Sequence, residues 1–201
     1  MNGALVTDPA LQLTVRGALA LLFFWAAAHK LRDRATFRTA LGRYELLPVG
    51  WLRPFMALLI ASELGVAVAL LFPGSASQAA LAAAGLFALY AGAIGINLRR
   101  GRRDIDCGCA GVQRGQALSA GLVVRNIVLL GAALACAPPV TPRALTWLDG
   151  VTVAAGTVTL LLLYAAADGL LAHASRARVR RTGDDRSAAG LLEPAHQVKH
   201  A

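Results

Sequence analysis

Residues 79–98 read AALAAAGLFALYAGAIGINL, twenty consecutive positions without a charge. As a helix, a segment of that length rises about 30 Å, the thickness of a bilayer's hydrocarbon layer. A helix is the form to expect, because backbone N–H and C=O groups cannot be left open in lipid. The stretch runs directly into Arg99-Arg100-Gly101-Arg102-Arg103, where guanidinium groups can reach lipid headgroups.

The same pattern recurs on either side. Apolar segments run from about Leu13 to Ala28, Leu52 to Phe72, Leu118 to Ala137 and Leu148 to Leu171, the fourth span of the chain being closed by Pro138-Pro139. The expected fold is therefore all-α, a polytopic membrane helix bundle with five spans. Composition agrees. Of 201 residues, 57% are hydrophobic and 15% charged, against about 25% charged in soluble domains. The net charge of +9 does not point to nucleic acid, since the basic residues gather at the ends of the apolar segments. The first segment does not read as a cleaved signal peptide: Asp8 is acidic, and Arg16 is the lone basic residue before the apolar stretch.

The connections alternate in charge. The first loop holds Lys30, Arg32, Arg34, Arg38, Arg43 and Arg53, whereas the second, around Pro73-Gly74, holds no basic residue. The third holds Arg99, Arg100, Arg102, Arg103 and Arg114, the fourth Arg143 alone, and the C-terminal segment Arg176, Arg178, Arg180, Arg181, Arg186 and Lys199. Basic loops face the cytoplasm. The expectation is an N-terminus outside, a C-terminus inside, and the first and third loops in the cytoplasm. The polar segment 175–201 reads as a disordered basic tail.

Chemistry concentrates in Asp104-Ile105-Asp106-Cys107-Gly108-Cys109. Two thiols around one glycine suit a redox-active pair, because a disulfide closing so small a ring is strained and readily reduced. The preceding arginines favour thiolate, and Asp104 and Asp106 oppose it. Inert thiols in a glycine-rich turn are the plainer alternative. A zinc site using Cys107, Cys109, His29 and His173 is a weaker one, since the spacing follows no finger-type pattern, and no metal is expected. Cys136 lies about 25 Å along the helix axis from the third loop and reads as a small core residue.

Glu63 is the acid well inside a span, which makes it a functional candidate by default. It reads as a structural hydrogen-bonding acid, a proton relay, or part of a quinone or substrate pocket. Asn97, Arg125 and Asn126 are its expected partners. Asp149 and Asp168 read as interfacial.

These residues, taken in order, resemble the methylamine-utilisation MauE family, related to DoxX-type redox-associated membrane proteins. The resemblance rests on His29-Lys30-Leu31-Arg32-Asp33 with Phe37, Tyr44-Glu45-Leu46-Leu47-Pro48, Glu63-Leu64, Asn97-Leu98-Arg99-Arg100-Gly101, Asp106-Cys107-Gly108-Cys109 and Arg125-Asn126. It implies a four-helix core over residues 1–137, with a further transmembrane helix over 138–174. It also implies a role in processing, transport or disulfide formation for a periplasmic client such as the quinone-bearing small subunit of methylamine dehydrogenase. Cys107 and Cys109 would then be the thiol pair, supported by Glu63, Arg125 and Asn126, in the bacterial inner membrane. Expected partners are lipid, the client and a thiol-redox protein. A quinone is the one cofactor suggested.

The charge rule puts the thiol pair on the cytoplasmic side, against direct oxidation of a periplasmic client. The alternatives are a non-catalytic assembly or export factor and a small transporter using Glu63. No Walker-type loop, Rossmann fingerprint or HExxH motif points to a soluble-type enzyme.

Overall fold

The computed structural model describes residues 8–102, 118–140 and 143–191, with side chains as far as residue 174. Cys107 and Cys109 lie outside the described residues. The helices are α1 (Pro9–Arg32), α2 (Arg34–Arg43), α3 (Leu52–Ala69), α4 (Ala76–Arg99), α5 (Ala120–Ala135) and α6 (Trp147–Leu191). Short 3-10 turns, Val49–Trp51 and Pro73–Ser75, lead into α3 and α4.

Helix α1 begins where the sequence supplies a cap. The Asp8 carboxylate accepts from the Ala10 and Leu11 N–H groups at 2.8 and 3.4 Å, and Pro9 takes the first helical position, where its missing N–H costs nothing. The helix ends in His29, Lys30 and Arg32, basic groups that suit the negative end of its dipole.

Asp33 closes α1 and caps α2 by accepting from Thr36 N–H at 3.1 Å. The loop reading of this region is thus corrected. Residues 34–43 form an amphipathic helix that buries Phe37 and Ala40 and exposes Arg34 and Arg38.

Among the described residues, four segments are long and apolar enough to cross a bilayer: Pro9–Arg32, Val49–Ala69, Pro73–Arg99 and Trp147–Ala174. Helix α5, at 16 residues, rises only about 24 Å and is short for a crossing. Its N-terminal end is extended by Leu118, which is buried against Tyr44, Ile94 and Leu122.

Helix α6 does not stop at residue 174. The segment 175–191, expected to be disordered, continues it to Leu191. That segment is rich in Arg and Ala, both good helix formers, and its first proline comes later, at Pro194.

The bundle core is built from Leu19, Phe23, Leu70, Ala83, Phe87 and Ala133, with the Phe23 and Phe87 rings 4.8 Å apart. Small residues bring α6 against α1: Thr157 Oγ1 lies 3.1 Å from where a Cβ on Gly17 would stand, and Thr14 Cγ2 2.8 Å from one on Gly156. Without a hydrophobic force between helices in lipid, such close backbone approach is the usual source of packing energy. Leu58, Leu71, Val128, Leu162 and Leu163 point outward and are exposed, as a lipid-facing surface requires.

Arg16 does not reach for headgroups. It is buried, and its guanidinium donates to Leu70 O at 2.8 Å through Nε and to Phe72 O at 3.1 Å. It therefore satisfies carbonyls left open at the end of α3.

Candidate functional site

The antiparallel helices place the C-terminal ends of α1 and α4, the N-terminal ends of α3 and α5 and the later part of α6 toward one end of the bundle, with Glu63 deeper, just past the middle of α3. Buried charge collects there. Glu63 is fully buried and pairs with Lys30, the last buried residue of α1. Tyr90, on α4, donates to the same carboxylate oxygen at 2.5 Å. Lys30 also donates to the Tyr90 hydroxyl at 3.3 Å. The second carboxylate oxygen, Glu63 Oε2, has no hydrogen-bond partner among the described residues.

A second ion pair joins Arg125 of α5 to Asp168 of α6, and Asp168 is fully buried. The guanidinium also stands 5.7 Å from the Tyr164 ring centroid.

Two expectations are corrected here. Glu63 does not pair with Asn97, Arg125 or Asn126. Arg125 is committed to Asp168, while Asn97 and Asn126 turn back to Ala93 O and Leu122 O in their own helices, at 3.0 and 2.8 Å. Asp168 is not interfacial. Placed near a helix end by sequence, it faces the bundle interior because Arg125 offers a countercharge at the same depth.

Glu63, Arg125 and Asn126 nevertheless meet around one small cavity of about 50 Å³, together with Lys30, Tyr90 and Tyr164. A second, larger cavity of about 250 Å³ lies between α2, the turn after it, α3 and α4, and it too reaches Lys30 and Tyr90. Sequence reasoning missed Lys30, Tyr90 and Tyr164. For Lys30 a signal was present: a buried acid in a span demands a cation at similar depth, and Lys30 follows only two residues after the apolar segment that ends at Ala28.

The loop that contains Cys107 and Cys109 leaves and re-enters this same end. Gly101 adopts φ +74°, a left-handed turn that a glycine accepts without strain. Arg102 then pairs with Glu45 at 2.5 Å. The Arg102 hydrogen bond holds the Glu45 carboxyl below the usual range, and Leu118 is buried on the return side. Among the other sequence candidates, Cys136 is buried with a free thiol at the opposite end, its carbonyl accepting from Gln12 Nε2 at 3.1 Å. His29 is half-buried and His173 exposed. At that opposite end Arg143 bridges Asp8 and Asp149, at 3.1 and 2.7 Å.

A bundle with an apolar exterior and ion pairs sealed inside defines a multi-pass helical membrane protein. The family model described as methylamine utilisation protein MauE matches residues 8–138. Proteins named methylamine utilization protein MauE are 42% identical over 165 residues in Methylorubrum extorquens, 38% over 169 in Methylophilus methylotrophus and 39% over 163 in Paracoccus denitrificans. These alignments cover 81%, 82% and 80% of this chain and 89%, 88% and 87% of the respective relatives. The chain belongs to the MauE family. No solved structure matches it.

Proposed function

We propose that this chain is an accessory membrane protein of methylamine utilisation, and that it acts as a thiol-redox factor in maturation of a client protein. The observation that supports the first part is the family relationship, which extends over four-fifths of the chain. The second part rests on Cys107-Gly108-Cys109 and on the rooting of its loop. Arg102, paired with Glu45, and the buried Leu118 hold the described ends of that loop to the bundle.

The reaction is exchange. A thiolate of the pair attacks one sulfur of a partner disulfide, and a mixed disulfide forms as the partner's other sulfur leaves as thiolate. Attack by the second cysteine releases the partner dithiol and leaves Cys107–Cys109 oxidised, so two electrons and two protons pass to the partner. The reverse sequence oxidises a partner dithiol. On the reading of the basic loops, the protein lies in the inner membrane with its N-terminus outside and its C-terminus in the cytoplasm, so the pair faces the cytoplasm and reaches a periplasmic client through a thiol-redox partner rather than directly. The client of this reading is the disulfide-rich small subunit of methylamine dehydrogenase.

The test is a strain carrying Cys107→Ser and Cys109→Ser together. Membrane insertion is retained, while the client accumulates with reduced cysteines and growth on methylamine fails. Normal client oxidation in that strain would overturn the redox role and leave a non-catalytic assembly factor.

A further inference from the structure

The two faces of α2 differ in kind. Phe37 and Ala40 are buried, while Arg34, Arg38 and Arg43 are exposed. A short basic helix of this pattern suits the plane of a membrane interface. The turn that leads into α3 exposes Val49 and Trp51, and tryptophan favours headgroup depth.

The cavity of about 250 Å³ has the buried face of α2 as one wall and α3 and α4 as others. Eight of its thirteen lining residues are aliphatic, among them Leu41, Leu47, Leu59 and Leu89, which suits a flexible hydrocarbon chain. Such a chain would gain dispersion contacts from every wall. Lys30 also lines the cavity, but its ammonium is paired with Glu63. No net charge therefore draws an ionised group inside.

Uncompensated charge lies just outside. From residue 32 to residue 53 there are five arginines and two acids. Asp33 caps α2, and Glu45 pairs with Arg102. Arg34, Arg38, Arg43 and Arg53 form no ion pair among the described residues. Arg43, with Thr36 and Thr39, lines an open groove of about 270 Å³ that shares Ala40 with the apolar cavity. The start of α3 abuts this end of α2, since a Cβ on Gly42 would stand 3.5 Å from Leu52 Cδ1. Arg53 therefore belongs to the same corner. An apolar slot and a cationic groove meet here, and a guanidinium matches phosphate oxygens in charge and in geometry.

We propose that this corner holds one anionic phospholipid per chain, apart from the general lipid surround, with an acyl chain in the cavity between α2, α3 and α4 and the phosphate at Arg43 and Arg53. A zwitterionic head would bring its own ammonium among unpaired arginines, so the anionic head is preferred. The site uses neither Cys107 nor Cys109 and is independent of the thiol-exchange reading.

The experiment is native mass spectrometry of the full chain in detergent, titrated with dioleoyl phosphatidylglycerol or dioleoyl phosphatidylcholine. One phosphatidylglycerol is expected to stay bound, about tenfold or more tighter than phosphatidylcholine. Arg43→Gln with Arg53→Gln abolishes that preference. Ala93→Leu and, separately, Ala40→Leu narrow the slot and weaken binding of both lipids by about tenfold, with the melting temperature recorded for each. Arg43 and Arg53 are exposed, so their variant tests the headgroup contact even where a filled slot unfolds the chain.

Equal retention of the two lipids by the unaltered chain would overturn the anionic head. Displacement of the lipid by free glycerol phosphate would show a bare anion site and overturn the acyl-chain assignment. A ladder of adducts with no tightly held first lipid, or unchanged binding in folded slot variants, would overturn the site. Cys107→Ser with Cys109→Ser leaves lipid binding unchanged, so failure of the thiol-exchange role is read separately.

Discussion

Lys30, in the last turn of α1, and Glu63, midway along α3, form an ion pair whose side chains are 2% and 1% exposed. The pair ties two spanning helices at a depth where neither charge can be left alone. Removing one partner of a buried pair costs about 3–5 kcal/mol, whereas replacing both with apolar or neutral groups is far milder. Lys30→Met alone and Glu63→Ala alone therefore lower the melting temperature in detergent sharply. Lys30→Met combined with Glu63→Gln recovers a large part of the loss. A double variant as unstable as the sum of the singles would show that the pair is not the tie described.

The spans were legible because a bilayer writes them plainly: residues 79–98 need no more than a count of charge-free positions. Helix α2 was not, since Arg34, Arg38 and Arg43 dominate a segment in which only Phe37 and Ala40 are buried; its one local signal was Asp33 ahead of Thr36. Glu63 stood out by depth, but its partner did not. Lys30 lies where a cation is ordinarily placed in the headgroups, and nothing local in the sequence states that α1 runs on to Arg32 and turns that ammonium inward. Asp168 was misplaced for the same reason, because proximity to a helix end says nothing about which neighbour faces it.

Arg125 and Asp168 join α5 to α6. Helix α5 packs most extensively on α4, and this bond ties it across to α6. Asp168→Asn leaves a guanidinium in an apolar setting and should destabilise the fold by about 3–5 kcal/mol, read as loss of monodisperse protein on heating. Arg125→Met with Asp168→Leu should be less damaging than either single change. Coupling measured across this cycle, and absent between Asp168 and Lys30, checks that the two ion pairs act separately.

Gly156 lies so close to α1 that a Cβ there would stand 2.8 Å from Thr14 Cγ2. Thr14 is buried and its hydroxyl is engaged with Ala10 O at 2.8 Å, so it cannot swing away freely. Gly156→Val should force α1 and α6 apart, at a cost of about 1–3 kcal/mol by overpacking. Gly150→Val in the same helix meets nothing within 4 Å and serves as the control. A cysteine cross-link placed between α1 and α6 would form more slowly in Gly156→Val than in the control.

Asp8 and Arg143 clasp the other end of the bundle, and this contact makes its stability depend on acid pH. The Arg143 guanidinium, followed by the Ala10 N–H, holds the Asp8 carboxyl below its ordinary value of 3.8. A carboxyl lowered in the folded state contributes stability that is complete above its unfolded value and is lost as the pH falls through the folded one. The melting temperature of the unaltered chain should thus fall more steeply below about pH 4 than that of Asp8→Asn, and the two curves should converge at the acid end. The contact is solvent-exposed, so the separation at neutral pH is small and shrinks further in high salt. Asp8→Asn keeps much of the helix cap through its side-chain oxygen, which leaves the difference between the curves as a measure of the charge pair. Parallel curves from neutral to acid pH would mean that Asp8 acts through capping alone.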